Sequence, residues 1–195
     1  MKTLSNPWSA GAVVASLLAS GCATVELPPA APSAPATTGA AATTATPSLG
    51  FFSRIKAPDN TEPSLRLSGK GVQVFRCERQ AGGDWAWVFR LPEADLADDS
   101  GKVVARHGAN FSFEHVDGSR LVGSVAAYDE APSAGNLRWL LMTTRPFGQG
   151  VLSGVSHVQR VNTNGGMPPP RCEANQQNQL LRVPFSADFV FYRPR

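Results

Sequence analysis

The sequence predicts an all-β fold: a single antiparallel domain of about eight short strands, closed as a small barrel or folded as a sandwich. Three observations carry this. Apolar residues recur at every second position, as in Trp85, Trp87, Phe89 and Leu91 of "WAWVFRL" and in Phe185, Ala187, Phe189 and Phe191 of "FSADFVFY". Short links with turn residues separate such segments, and no convincing helical period interrupts them. The stretch 65–195, about 130 residues, is the size of one domain and long enough for a single core.

Taken in order, strands are expected over Val72–Cys77, 85–91, Val103–His107, Phe111–Val116, Ser119–Tyr128, Leu137–Thr144, Val155–Thr163 and 185–192. Between the fourth and fifth lies "VDGS", in which Asp117-Gly118 suits the positive φ of a type I′ turn, the strongest short-range hairpin signal in the chain. The segment "PEADLADD" after Leu91 is the one place where a helical turn is expected, with Pro92 at its first position.

The chain before the domain has a different character. Lys2 supplies one positive charge, Ala10 to Ala19 is apolar, and the run is too short for the roughly 20 residues of a spanning helix, so residues 1–21 read as a signal peptide. "LLASGCA" around Cys22 resembles the lipobox of bacterial lipoproteins, with small residues ahead of the cysteine and Leu18 one place further upstream. That resemblance implies lipidation of Cys22, cleavage before it, and a membrane partner reached through the lipid. An ordinary secretory signal, with Cys22 a free thiol, is the alternative. Residues 22–64 are rich in Ala, Thr and Pro without apolar periodicity, and read as a disordered tether with a coil-like reach of roughly 35 Å. Phe51-Phe52 near its end either docks back on the domain or dips into a membrane.

Cysteine arithmetic agrees with lipidation. Of Cys22, Cys77 and Cys172, an acylated Cys22 leaves two to pair as a disulfide, though two separate buried thiols satisfy the same count. Net charge is +3, and removing residues 1–21 deletes only Lys2, leaving 17 − 15 = +2. No basic stripe with interleaved aromatics argues for nucleic acid.

The successive blocks "GKGVQVFRCE", "WVFRLPEADL", "RHGANFSFEHVDGSRLVGSV", "RWLLMTT", "VQRVNTNGG" and "VPFSADFVFY" resemble, in this order, the family catalogued as domain of unknown function 3455. The resemblance spans about Leu65 to Tyr192. It implies a secreted or envelope β-domain and carries no catalytic residues across. In one block the family has Gly-Pro, a polar residue and Trp after the histidine, where this chain has "GANFSFE" after His107 and Phe113 in the strand beyond.

Motifs for chemistry are wanting. His107, His115 and His157 with Glu114 or Asp117 match no metal-ligand spacing, Asp95, Asp98 and Asp99 lack the alternation of a calcium loop, "GVLSG" is one position off a nucleophile elbow, and "SGKG" lacks the spacing of a phosphate loop. No metal and no cofactor is therefore expected. What remains is a set of polar residues within apolar runs. Gln73, Arg76, Gln159, Arg160, Asn162, Thr163 and Asp188 stand where a solvated face would carry Lys and Glu, and Asp188 with Arg160 or Arg76 is the expected pair. Trp85, Trp87 or Trp139 would supply an apolar wall, and His107, Glu114 and Asp117 complete the candidate binding set. In "VQRVNTNGGMPPPRC" the segment either presents Asn162, Thr163 and Arg171 to a partner or only returns Cys172 to Cys77.

Three classes follow. The leading expectation is a non-catalytic envelope lipoprotein, on the periplasmic face of the outer membrane or else secreted or at the cell surface, that binds a small molecule, glycan or partner protein. The others are a cofactor-independent β-barrel enzyme with Asp188 or Glu114 as base and Arg160 as anion stabiliser, and a structural or stress-related envelope protein without a ligand.

Overall fold

A computed structural model describes residues 49–195, which are all-β apart from two single-turn 3-10 segments. The signal peptide, Cys22 and most of the tether lie outside the described residues. The strands are β1 (Thr61–Arg79), β2 (Trp85–Ala97), β3 (Val103–Gly108), β4 (Ser112–His115), β5 (Arg120–Asp129), β6 (Trp139–Phe147), β7 (His157–Gly165) and β8 (Leu180–Pro194). Each pairs antiparallel with the next, and β8 returns to β1, so one eight-stranded sheet closes on itself rather than splitting into the two layers of a sandwich.

Closure rests on the period-two pattern. Leu67 faces Phe189 across β1 and β8, and Gly69 lies level with Leu96 and Ala187, so these side chains project to one interior. There Phe113, Phe189, Phe191, Leu96, Leu121 and Met142 are completely buried. Two glycines let the strands close around this core. A Cβ on Gly69 would come within 2.6 Å of the Phe189 ring, and one on Gly71 would collide with the Glu93 carbonyl and the Ala94 backbone.

Both ends of the closed sheet are covered. At one, the loop 148–156 folds Leu152 and Val155 into the main core. At the other, the chain after β7 returns to β1, where Cys172 is bonded to Cys77 with the Cα atoms 5.9 Å apart, and Asn178 donates its amide to the Cys77 carbonyl. The disulfide expected from the cysteine count is formed.

Several details differ from the sequence expectations. β1 is 19 residues long and begins at Thr61, so the expected tether boundary at 64/65 falls inside a strand. Upstream of it Ile55 is fully buried against Leu141 and Val161 on the outside of the sheet, making residues 49–60 a strap over β6 and β7. "PEADLADD" forms no helical turn: Pro92–Ala97 continue β2, with Ala94 and Leu96 buried and Glu93 and Asp95 exposed, and Pro92 sits where β3 has not yet joined, an edge position that tolerates a proline. The even alternation expected through Leu91 is broken by a register shift, since Phe75 opposes Phe89 whereas Val74 opposes Leu91. The hairpin at "VDGS" is not type I′. Of the two residues expected at its centre only Gly118 has positive φ (+89°); the Gly118 amide bonds the His115 carbonyl, which puts Val116 and Asp117 at the centre, and the His115 amide bonds the Ser119 carbonyl, a three-residue hairpin closed by a glycine bulge.

Candidate functional site

The interior carries polar groups in unusual settings. His107 projects from β3, stacked on Phe113 with centroids 4.3 Å apart and 5.3 Å from that of Phe189. Its Nδ1 lies 2.9 Å from the Ser112 carbonyl oxygen, which only accepts, so Nδ1 carries the proton and Nε2 is left as a bare acceptor. Nε2 is buried without a partner among the described residues. Burial pushes the His107 pKa down to about 4; the bond to Ser112 opposes this and the positive charge of Arg160 adds to it. The imidazole is neutral at physiological pH.

Arg160, on β7 opposite Phe189, is the second. It is 6% exposed, its Nη2 donates to the Arg138 carbonyl at 3.0 Å, and its Nε has no acceptor among the described residues. Burial lowers its pKa to about 10, so the guanidinium stays charged at neutral pH with no carboxylate beside it among the described residues. Gln73 is likewise buried with an unpartnered amide nitrogen.

The pairing expected for Asp188 is not made. Asp188 opposes Val161 while Arg160 opposes Phe189, and one residue's offset puts side chains on opposite faces of a sheet. Asp188 accepts from the Asn162 amide at 2.8 Å, and Arg76 pairs with Glu78, which Arg90 also contacts. Thr163 donates to the Leu137 carbonyl at 2.5 Å, and among the described residues Arg171 reaches only Asp84, so "VQRVNTNGG" completes β7 and the stretch beyond it leads back to Cys172. The base and anion stabiliser that an acid/base enzyme requires are not assembled: Glu114 is exposed on β4 and Asp188 shares no face with Arg160.

Asp117 and Trp139 have structural surroundings. The Asp117 carboxylate accepts from the Ser119 hydroxyl and amide (2.6 and 2.9 Å) and from the Val151 amide (2.8 Å), with His115 Nδ1 at 3.0 Å. These bonds, that from the Ser119 hydroxyl foremost, hold its pKa far below the ordinary carboxylate range, and they clamp the loop that delivers Leu152 to the core. Trp139 packs against the cluster beneath the strap, its Nε1 buried and unpartnered among the described residues. Gln159 is also absorbed there, donating to the Ile55 carbonyl and accepting from the Tyr192 hydroxyl at 2.7 Å.

A groove of about 680 Å³ lies across β1 to β4, with Arg182 of β8 at its side. Gly71, Ala94 and His107 form its floor, and six charged side chains wall it: Lys70, Arg106 and Arg182 against Glu93, Asp95 and Glu114. Arg182 and Glu93 form a two-bond pair, and Arg106 stands 3.6 Å from Asp95. Lys70 and Glu114, both exposed, make no ion pair or side-chain hydrogen bond among the described residues. Of these wall residues the sequence reading singled out only Glu114 and Asp95. The signal for the rest was their outward parity, since Lys70, Glu93, Asp95, Arg106 and Glu114 alternate with buried positions on four adjoining strands.

The profile of the protein family of unknown function DUF3455 matches residues 58–193, from just before β1 to the end of β8. This chain belongs to that family. The match covers the closed sheet with its groove and disulfide, so the DUF3455 region coincides with the folded unit from Thr61 onward. No curated protein and no solved structure matches the chain.

Proposed function

We propose that this DUF3455 protein is a non-catalytic binding module of the bacterial envelope, held by lipid on Cys22 at the periplasmic face of the outer membrane, whose groove takes a hydroxyl-rich glycan. The lipobox-like stretch, the Ala/Thr/Pro tether and the absence of catalytic motifs in the sequence support the first half. One observation carries the second: Lys70 and Glu114, two unpaired charges of opposite sign, face one groove over a floor thinned by Gly71. A sugar hydroxyl both donates and accepts, so it satisfies an ammonium and a carboxylate together, and charge-assisted bonds of this kind contribute about 1.5–3 kcal/mol each. Net charge among the six wall residues is zero, which favours a neutral ligand over an anion or a cation.

Calorimetry with soluble malto-, cello- and chito-oligosaccharides tests this on the parent chain and on the Lys70→Met and Glu114→Gln variants. Binding to the parent, weakened about tenfold or more in each variant, is the expected result. Affinity unchanged in both variants, binding of none of these glycans, or chemical turnover of a bound one overturns the proposal.

A further inference from the structure

We propose that the turn Gly50–Ser53 is a lipid-contacting prong that seats Phe51 and Phe52 in the headgroup region of a bilayer. Phe51 and Phe52 are 85% and 91% exposed, the largest values among the large apolar side chains of the described residues. Their rings meet edge to face at 5.2 Å, forming one apolar tip.

This exposure is built rather than loose. The turn is closed by the Ser53 amide on the Gly50 carbonyl at 3.0 Å. Immediately behind it, the Ser53 hydroxyl and the Arg54 amide both donate to the Asp129 carboxylate, and Ile55 is fully buried beside Leu141 and Val161. The chain is thus pinned within three residues of a tip that buries nothing. Packing the two rings on the domain would have been favourable by the hydrophobic effect, so their presentation at the end of an anchored turn points to a partner.

The surroundings select lipid. Lys56 lies 5.4 Å from the centre of the Phe51 ring, bonds the Phe51 carbonyl at 2.9 Å, and meets no carboxylate among the described residues. Arg54 and Arg138 sit over the Tyr128 ring at 5.0 and 4.5 Å, each already paired with a carboxylate, Asp129 and Glu130, so Lys56 is the cation left to a phosphate. An apolar tip above a cation and an amphipathic aromatic suits the acyl boundary with phosphates over it. A two-residue tip is also too small for a stable protein partner, which needs about 800 Å² per side, whereas two Phe offer about 300–500 Å² in all. The prong stands 51 − 22 = 29 positions after Cys22, a span that at the coil-like reach expected from its composition is roughly 30 Å, so a lipid there would hold it near the membrane. The prong itself needs neither the lipid nor the glycan groove.

The test uses the chain purified from its membrane and reconstituted with phosphatidylcholine/phosphatidylglycerol vesicles, carrying Phe52→Trp as a reporter against the signal of the native tryptophans. The introduced tryptophan is expected to shift to the blue on adding vesicles and to be quenched at least twofold by lipids brominated along the acyl chain. Adding Phe51→Ser should abolish most of that quenching, and Lys56→Glu should weaken it more in anionic than in zwitterionic vesicles. Unchanged acrylamide access with no bromolipid quenching overturns the proposal, as does a blue shift that appears without vesicles and grows with protein concentration, which would mark a second copy as the partner. Failure of the Cys22 anchor is seen separately, as loss of retention on zwitterionic vesicles in every variant alike.

Discussion

Lowering the pH below about 6.5 should destabilise this protein through His107 before its carboxylates begin to titrate. The folded-state pKa is about 4 against 6.5 for a free imidazole, so between these values the unfolded chain takes up a proton that the folded chain refuses. The contribution is therefore complete above pH 6.5, is lost as the pH falls towards 4, and levels off below it. A difference of 6.5 − 4 = 2.5 corresponds to about 3 kcal/mol over the whole window and to about 2 kcal/mol at pH 5. Set against a typical total of about 5–15 kcal/mol, that is a large fraction. Urea unfolding at half-unit steps from pH 7.5 to 4 on the parent and on His107→Phe isolates the effect, because other groups titrate in both. Phenylalanine keeps the stack on Phe113 but strands the Ser112 carbonyl, so the variant should be about 1–3 kcal/mol weaker at pH 7 yet distinctly flatter towards pH 4.5. Parallel curves for the two proteins would refute the assignment of His107 as a buried neutral imidazole.

Three further outcomes follow from the same structure. Replacing Cys77 and Cys172 together by alanine reopens a 95-residue closure and should cost about 4–5 kcal/mol on the chain-entropy model, read as a lower urea midpoint than that of the oxidised parent. Arg160→Met removes a buried guanidinium that has no carboxylate beside it among the described residues, and should leave stability within about 1 kcal/mol of the parent or raise it, whereas a loss of about 3 kcal/mol would mean the charge is compensated by a group not seen here. Asp117→Ala should release the loop 148–156, raising amide hydrogen exchange at Val151 and Leu152 and lowering the melting temperature; unchanged exchange there would rule out the clamp.

The strands were legible because the closed sheet has one dry face. In "FSADFVFY" the residues predicted to share a face, Phe185, Ala187, Phe189 and Phe191, are all buried in the core. The pairing of Cys77 with Cys172 was legible only as one of two readings of the cysteine count, once Cys22 was set aside for lipid. The first half of β1 was not, because its inward positions include Gly69 and Gly71, which carry no apolar signal although close strand approach demands them. Pro92 misled in a similar way: it fits the first turn of a helix, and only the alternation of Ala94 and Leu96 with Glu93 and Asp95 tells otherwise. The strap was hidden because its apolar residues follow no period: Ile55 and Leu49 pack on the sheet while Phe51 and Phe52 between them stay exposed. Among candidate site residues, Gln73 and Arg160 drew notice as polar groups in apolar runs and His107 as one of three histidines, and all three are buried. The partner assigned to Asp188 failed because strand register, which decides which side chains share a face, is not written in any one strand. Lys70 went unnoticed for the same reason, since the groove it shares with Glu114 exists only once β1 and β4 are brought together.

The glycan groove is tested most directly by mapping backbone amide shifts of the ¹⁵N-labelled protein while titrating the oligosaccharide series. Saturable changes are expected at Lys70–Val72, Glu93–Asp95, Arg106–Gly108 and Glu114, with the interior at Phe113 and Phe191 little affected. No saturable change at any oligosaccharide concentration, or changes gathered on a different face of the sheet, would contradict it.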